Sequence, residues 1–195
     1  MISLCMDTSH VLLAIALLKD GKVLASCQEL CWKRQSEELF GKLIALMDKA
    51  GLAPKDIGEV VVSEGPGSYT GVRIAMTVAK VFCAMGNVPL YTIGTLQLYG
   101  AGLTGRVILD ARGRRAYTCL FENGDAIGVP EAKPLDEICA SMDIVGDGHL
   151  VGKEDNWPDM ASNFSLLREK WKKAANVHQV VPEYLKSAQA YMVKK

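Results

Sequence analysis

The chain contains one short pattern twice, and this repeat restricts the possible folds more than any other feature of the sequence. An apolar run that ends in Asp7 aligns with a second run that ends in Asp110, a shift of 103 positions (from 7 to 110). The same shift, without a gap, places Gly21 on Gly124, and each glycine lies in a predicted hairpin turn between two strands. The aspartates and the glycines match at one shift, and each pair lies in the same order of strand, turn and strand. This agreement indicates an internal duplication.

Strands and helices alternate along the first copy, as the spacing of apolar residues and turn signals shows. The predicted strands cover 2–6, 11–18, a stretch from Val23, 60–62 and 89–93. The predicted helices run from an N-cap at Ser36 to Gly51, from about Ser68 to Met85, and for a few residues after Thr95. The second copy restarts this order with two strands and their hairpin turn.

A β-β-β-α-β-α unit used twice, with an acid at the end of each first strand, is the plan of the actin-like ATPase (ribonuclease H-like) fold. We therefore predict an α/β protein with two similar lobes of mixed sheet and flanking helices. The N-terminal lobe covers 1–104. A smaller C-terminal lobe covers 105–195, and its last helix is a candidate to pack back on the first lobe. By analogy with that superfamily, the two hairpin turns would face each other across a cleft and hold nucleotide phosphates.

The charge balance argues against a protein that grips nucleic acid by itself. Twenty-two Lys and Arg balance 22 Asp and Glu, whereas such proteins usually carry a basic excess. The N-terminus has no basic region before a cleavable apolar stretch, and no apolar run approaches the ~20 residues that span a bilayer. We therefore expect a cytoplasmic protein without membrane contact. Six cysteines, mostly within apolar runs, are interpreted as thiols rather than disulfides: Cys5, Cys27, Cys31, Cys83, Cys119 and Cys139.

The stretch from Ser63 to Ile74 leaves a predicted strand, turns through Gly-Pro-Gly and enters a helix. Pro66 fixes one backbone dihedral, while the flanking glycines permit conformations or close approaches that a Cβ would block. Ser68 or Thr70 can cap the helix, whose free N–H groups would attract an anion. The alternative is a tight strand-to-helix turn without any ligand. The residues alone leave both interpretations open.

This stretch closely resembles the G-P-G-S-[FY]-T-G-[LV]-R-I signature of the TsaB (YeaZ) family, and three other motifs agree in order along almost the whole chain. The matching signature residues are Gly65, Pro66, Gly67, Ser68, Tyr69, Thr70, Gly71 and Arg73. The other motifs are Met6-Asp7-Thr8-Ser9, Leu109-Asp110-Ala111-Arg112 with Tyr117, and Pro182-Glu183-Tyr184-Leu185-Lys186.

The resemblance implies a non-catalytic subunit of the machinery that forms N6-threonylcarbamoyladenosine in tRNAs reading codons that begin with A. TsaB proteins pair with the catalytic paralogue TsaD and the small ATPase TsaE, and they reach tRNA indirectly, through the complex. Alone they form a homodimer. The resemblance therefore implies that this chain alone binds no cofactor and that ATP or ADP and the metal belong to its partner subunits.

The residues themselves support a non-catalytic role. The catalytic paralogue binds its metal through two histidines one helical turn apart, whereas His10, His149 and His178 are far apart in this sequence. The late Gly-Gly adenosine-binding motif of the superfamily is also missing after residue 105. We therefore expect no metal site and no catalytic residue. A remnant phosphate site could include Asp7, Thr8, Ser9 and Asp110, although each aspartate could instead accept hydrogen bonds from its adjacent turn.

The second predicted helix is apolar around nearly its whole circumference. From Val72 to Met85 only three residues are polar, and they fall within an arc of about 60°. Either this helix is buried within the chain, or its outer face meets another protein. Together with the wide apolar arc of the first helix it would form half of a four-helix bundle, and the resemblance implies that both helices contact TsaD. The predicted interface comprises Leu39, Leu43, Met47, Ala75, Val78, Ala79 and Phe82.

Two other functions remain as alternatives. Asp7, Glu38 and Glu64 lie where a ribonuclease H-type nuclease would hold two Mg²⁺ ions for phosphodiester hydrolysis. Glu38 serves equally well as a first-turn residue of the first helix, and a neutral chain is poorly suited to such work. A stand-alone actin-like ATPase is disfavoured by the missing adenosine motif. A peptidase is unsupported, since no nucleophile motif accompanies the histidines.

Overall fold

The computed structural model describes residues 1–185, in which each copy of the repeated pattern forms its own mixed β-sheet. The first sheet has the strand order β10-β5-β4-β1-β2-β3 and the second has the order β8-β7-β6-β9. The first sheet contains β1 (Ile2–Asp7), β2 (Leu12–Lys19), β3 (Lys22–Leu30), β4 (Ile57–Ser63), β5 (Leu90–Ile93) and β10 (Lys172–Lys173). The second contains β6 (Gly105–Asp110), β7 (Arg115–Glu122), β8 (Asp125–Pro134) and β9 (Ile144–Gly146).

The two sheets repeat the same pairing. β1 lies antiparallel to β2 and parallel to β4, and β6 lies antiparallel to β7 and parallel to β9. The hairpin turns match in backbone conformation, with φ of 51° and 80° at Asp20 and Gly21, and 51° and 82° at Asn123 and Gly124. Positive φ at both central residues is what a tight hairpin requires. The predicted fold class is therefore confirmed, and the geometry supports the duplication.

Four α-helices lie among the described residues: α1 (Gln35–Lys49), α2 (Tyr69–Gly86), α3 (Thr95–Tyr99) and α4 (Met160–Leu166). Ser68 caps α2, as predicted, by accepting a hydrogen bond of 3.2 Å from the Gly71 N–H. The prediction of Ser36 as the first cap is wrong, because Arg34 occupies that position without a side-chain hydrogen bond. The second copy has only a short 3₁₀ turn between β8 and β9, which makes its lobe smaller.

β1 is buried on both faces and separates the two main cores of the molecule. Leu4 and Met6 pack with α1 and α2, whereas Cys5 packs with residues of α3, α4 and the second sheet. Successive side chains of a strand point to opposite faces, so one apolar run can serve both cores. This position explains why the run that ends in Asp7 has no polar side chain except Ser3 before it.

The C-terminal part of the described chain returns to the first sheet. α4 packs on β2 and β3, and β10 pairs with β5 at the sheet edge. Nearby, the Arg168 Nη1 lies 2.6 Å from the Glu59 Oε1 of β4, and the same carboxylate oxygen accepts a hydrogen bond of 2.5 Å from Ser3. Lys186 of the closing motif, and any helix beyond it, lie outside the described residues.

All six cysteines are free thiols, as predicted, and Cys139 is the exposed one among them. Within residues 1–185, the helices are too short or too polar to cross a membrane.

Candidate functional site

The signature loop is tied to the turn after β1 by hydrogen bonds. The Ser68 N–H donates to the Ser9 carbonyl at 2.7 Å. The Thr8 hydroxyl donates to the Gly71 carbonyl at 2.7 Å and accepts from the Ala75 N–H at 3.1 Å. Two N–H groups and one carbonyl near the start of α2 are thereby used within the chain. The first function of this loop is to dock α2 on β1.

The glycines of the loop permit this docking. A Cβ on Gly67 would lie 2.3 Å from the Ser9 carbonyl oxygen, and one on Gly71 would lie 2.3 Å from the Thr8 carbonyl oxygen. Both distances are far below van der Waals contact, so only glycine fits there without backbone movement. The geometry therefore favours the tight turn over an anion site at this end of α2.

Asp7, Thr8 and Ser9 are fully buried, which corrects their prediction as phosphate ligands. Asp7 Oδ1 accepts hydrogen bonds from the Ser63 hydroxyl and from the Ser9 N–H, the latter at 3.2 Å. Tyr99 donates to its Oδ2 at 3.4 Å. Burial raises the pKa of Asp7 above its usual value, although the hydrogen bonds from Ser63 and Ser9 oppose this effect. This aspartate is a structural acceptor.

Replacing Asp7 with asparagine should leave the fold and any partner binding intact, because the amide retains an acceptor for Ser63 and Ser9. A carboxyl whose pKa is raised on folding binds its proton more tightly in the folded state. The wild-type chain should therefore lose stability relative to Asp7→Asn as the pH rises from about 4 to the folded pKa. The loss is about 1.4 kcal/mol for each unit of difference between the folded and unfolded pKa. Urea unfolding of both chains between pH 4 and pH 7 measures it, and a relative gain in stability would contradict the assignment.

Asp110, the counterpart of Asp7 in the second copy, borders an open cleft. This cleft of about 470 Å³ also touches Trp32 and the loop residues Ser68 and Tyr69. Asp110 accepts a hydrogen bond of 2.7 Å from the Arg112 N–H, and the Arg112 guanidinium lies 3.0 Å from its Oδ2. The two aspartates thus differ, since one is buried and the other faces the cleft within a turn and an ion pair.

The two hairpin turns do not border this cleft, which corrects the analogy with phosphate-binding turns. The Gly21 carbonyl accepts a hydrogen bond from Ser165, and the Gly124 carbonyl accepts one of 3.4 Å from Lys170. Both turns therefore contact the C-terminal segment that returns to the first sheet.

Arg73 links the signature loop to the closing motif. Its guanidinium carbon lies 3.9 Å from the centre of the Tyr69 ring, and its Nε donates to the Tyr184 hydroxyl at 2.9 Å. The two tyrosine rings stack with centres 5.5 Å apart. Two motifs that are distant in the sequence thus form one aromatic–arginine cluster, at one end of the surface formed by α1 and α2.

An apolar groove of about 860 Å³ runs between α1 and α2. Met85 is 85% exposed and Val81 is 54% exposed, and Phe40 and Ile44 of α1 are also exposed. The outer row of α2 runs Arg73, Thr77, Val81, Met85, four residues apart. We call the groove and its rim the α1–α2 face, formed by Phe40, Ile44, Ile74, Val78, Val81, Phe82 and Met85.

Most of the predicted interface residues lie inside the chain, which is a correction. The buried ones are Leu39, Leu43, Met47, Ala75 and Ala79, all in the core between the helices and the first sheet. Val78 and Phe82 are partly buried and line the groove. The polar residues of α2 mark its outer face, as on an ordinary amphipathic helix. The apolar residues opposite that polar row therefore point inward.

The three carboxylates of the nuclease alternative do not form a cluster among the described residues. Asp7 is buried among hydrogen bonds, Glu38 lies 3.5 Å from Arg34, and Glu64 lies 3.3 Å from Lys172. Two Mg²⁺ ions would need carboxylates that converge on a shared exposed site. The geometry offers no support for metal-dependent hydrolysis by these residues.

The fold brings together two of the three histidines, which the sequence separation did not suggest. The His10 Nε2 lies 2.6 Å from the Asp147 Oδ2, and the His149 Nδ1 lies 2.7 Å from the Asp155 Oδ1. The hydrogen bond to Asp155 raises the pKa of His149. Asp147 and Asp155 were not predicted as site residues, because no local motif marks them.

The comparisons with known proteins agree on one family. A family model described as TsaD, tRNA N6-adenosine threonylcarbamoyltransferase, matches residues 29–140. The tRNA threonylcarbamoyladenosine biosynthesis protein TsaB of Bacillus subtilis (strain 168) is 28% identical, over 96% of this chain and 95% of the relative. TsaB of Escherichia coli (strain K12) is 26% identical, over 84% of this chain and 77% of the relative.

Two solved structures from Pseudomonas aeruginosa share the fold. A protein described as similar to the peptidase YeaZ superimposes with a TM-score of 0.77 at 23% identity, over 95% of this chain and 99% of the other. YeaZ itself superimposes with a TM-score of 0.71 at 23% identity, over 94% of this chain and 99% of the other.

Proposed function

Because the chain belongs to the TsaD family and groups within it with the TsaB (YeaZ) proteins of tRNA threonylcarbamoyladenosine biosynthesis, we propose that it is a non-catalytic partner subunit. Its partners are a TsaD-like paralogue and a TsaE-like ATPase, in the cytoplasm. Together they form N6-threonylcarbamoyladenosine in tRNAs that read codons beginning with A. The nucleotide and the catalytic metal are held by the partner subunits.

The observation that carries this proposal is the α1–α2 face. Its side chains leave apolar surface in water on two adjacent helices, and a contiguous apolar patch of this kind marks a protein–protein contact. Burying one such side chain contributes about 1.5–3 kcal/mol. Two helices from each of two similar subunits would close into a four-helix bundle, in which ridges of one pair fill the groove of the other.

The same face accounts for a homodimer when the chain is alone. A two-fold dimer uses one patch on both subunits, so a self-complementary groove satisfies both copies. A TsaD-like paralogue with the same fold would present an equivalent helix pair, which would compete with a second copy of this chain for the α1–α2 face. The balanced charge of the chain fits a subunit that reaches tRNA through the complex.

Val81→Glu should weaken association with the TsaD-like paralogue of the same cell by at least about 30-fold, since it places an unpaired charge in an apolar contact. The folded chain should be unaffected, because Val81 is half exposed. Val129→Glu is the matched control, as Val129 is 72% exposed on β8 and outside the groove. Size-exclusion chromatography with light scattering measures association and the homodimer, and a thermal melt checks the fold.

The reconstituted complex gives the functional measurement. Val81→Glu should lose tRNA threonylcarbamoylation together with partner binding, whereas Val129→Glu should retain both. If Val81→Glu binds the paralogue normally, the α1–α2 face is not the interface. If the wild-type chain neither binds the paralogue nor supports modification, the proposed function is wrong.

A further inference from the structure

We propose that the exposed side chains around Trp32 bind a single-stranded segment of RNA. This Trp32 surface consists of Trp32 and four exposed cations on two loops, Lys33, Arg34, Arg112 and Arg114. One loop joins β3 to α1 and the other joins β6 to β7, so each copy of the repeat supplies one of them. Proteins bind single strands with aromatic rings on which bases stack and with cations along the phosphates. In the complex the surface would contact tRNA, a role that rests on the proposed function.

The Trp32 ring is held at the surface by two cations. It is 48% exposed, whereas the other two tryptophans of the chain are partly buried against the core. The Arg112 guanidinium carbon lies 4.6 Å from the ring centre, and the Lys33 Nζ lies 5.8 Å from it. These contacts restrict the ring while leaving about half of the side chain open. A ring that is already oriented loses little conformational freedom when a base stacks on it.

The backbone of both loops presents the cations in an unfavourable conformation. Six non-glycine residues of the described chain have φ between 51° and 62°. Three are Asp or Asn, the types that adopt this conformation readily. The other three are Lys33, Arg112 and Arg114, and all belong to the Trp32 surface. Left-handed residues with long side chains cost free energy, and such strain is concentrated at binding sites.

The surface carries a local basic excess in a chain that is neutral as a whole. Arg34 lies 3.5 Å from Glu38, and Arg112 lies 3.0 Å from Asp110. Four cations and two carboxylates leave an excess of two positive charges. Exposed ion pairs contribute little, so RNA phosphates can compete for both guanidinium groups. An excess of two supports a local contact within a larger assembly rather than tight binding by the chain alone.

The cleft beside Trp32 favours a nucleobase over an acidic protein segment. Asp110, Tyr69 and Tyr117 border this cleft of about 470 Å³, which is within the size range of pockets that enclose small organic ligands. A carboxylate accepts hydrogen bonds from the amino and imino groups of a base, but it repels an acidic side chain. The cations lie on the exposed loops outside, where the phosphates of a strand would run.

The full chain would be titrated into fluorescein-labelled decauridine at about 20 mM NaCl, with anisotropy as the measurement. We expect saturable binding with a Kd of about 10–100 µM, which weakens as salt is added. Trp32→Ala should weaken binding at least about fivefold without changing the slope of log Kd against log salt, since stacking releases no counterions. Lys33→Ala should lower that slope by about 0.7, the value for one phosphate contact with a single strand. Trp32→Phe keeps a ring and should recover most of the affinity.

Lys22→Ala is the matched control for the cation. Lys22 is an exposed lysine at the other end of β3, outside both loops, so its loss should change neither the affinity nor the salt slope. All substituted side chains are exposed, and thermal melts check that each variant folds.

The reconstituted complex connects the surface with the proposed function. Trp32→Ala should raise the KM for tRNA and leave kcat and binding to the TsaD-like paralogue unchanged. Val81→Glu should show the reverse pattern, with partner binding lost and decauridine binding by the chain alone unchanged. Failure of the proposed function therefore leaves the measurement on the isolated chain intact.

Four results would overturn the proposal. The first is no saturable binding of decauridine by the wild-type chain. The second is an equal loss in Trp32→Ala and Lys22→Ala. The third is displacement of the RNA by ATP or by decaglutamate at matching concentrations, which would assign the surface to a free nucleotide or to an acidic protein segment. The fourth is equal affinity for duplex RNA that does not depend on Trp32, which would indicate attraction to backbone charge alone.

Discussion

Replacing Arg168 with methionine is expected to lower the free energy of unfolding by about 3–5 kcal/mol. The Glu59 carboxylate is 2% exposed, and Arg168 is its cationic partner at 2.6 Å. Methionine keeps much of the apolar stem but removes the charge, so among the described residues Glu59 would be left buried with the Ser3 hydroxyl as its donor. Removing one member of a buried pair costs more than the pair itself contributes.

Lys170→Met provides the matched control from the same segment. Lys170 pairs with Asp125 at 2.5 Å, but both side chains are well exposed, and such surface pairs contribute about 0–1 kcal/mol. Urea unfolding of the two variants and the wild-type chain at pH 7 gives the comparison. Equal losses in the two variants would show that the burial of Glu59 does not set the cost.

Gly71→Ala is the second substitution with a large expected effect, a loss of about 2–3 kcal/mol. In an open helix position the same change would stabilise by up to about 1 kcal/mol, because glycine is a poor helix former. Here the new Cβ would lie 2.3 Å from the Thr8 carbonyl oxygen. The backbone of β1 or α2 would have to move, and the Thr8 hydrogen bonds to α2 would be disturbed.

Gly41→Ala, on the exposed side of α1, should instead raise the free energy of unfolding. No atom lies within 4 Å of a Cβ built on Gly41, so the helix preference of alanine acts alone. Melting temperatures and urea midpoints of both variants would be measured together. Stabilisation by Gly71→Ala would mean that the signature loop does not need close contact with β1, and that its glycines serve another purpose.

The features that the sequence predicted correctly depend on local patterns. The hairpin turns require positive φ, which Asp-Gly and Asn-Gly supply, and strands of alternating or wholly apolar character are bounded by them. Ser68 was identified as a cap because a hydroxyl before a helix satisfies a free N–H. These signals act over a few residues, so the fold class and most elements follow from them.

The face of each helix that packs on the sheet could not be derived in the same way. α2 is apolar almost all round, so the pattern fixes its existence but not which apolar row meets the sheet. The structure turns Ala75 and Ala79 inward, where small side chains allow close packing on β4, and leaves Val81 and Met85 outside. The three polar residues of the helix could have identified its outer face, because the row on which they lie continues along the helix to the exposed apolar residues.

The sequence separation of histidines was also a poor guide. His10 and His149 belong to different copies of the repeat, and only the packing of the two lobes brings them to one cavity. Local motifs such as H-x-x-x-H detect histidines that are neighbours on a single helix, and they cannot detect residues that two sheets bring together. Asp147 and Asp155 carry no local signal at all for the same reason.

The return of the C-terminal segment to the first sheet has a consequence for synthesis on the ribosome. Glu59 and Ser3 belong to the first strands to emerge, yet Arg168, which contacts both, lies 165 positions after Ser3. Until that residue leaves the exit tunnel, the nascent first lobe holds an uncompensated carboxylate in its sheet, and α4 does not yet cover β2 and β3. The first lobe therefore cannot make all its native contacts until the segment that contains Arg168 has been synthesised and has packed on the first sheet.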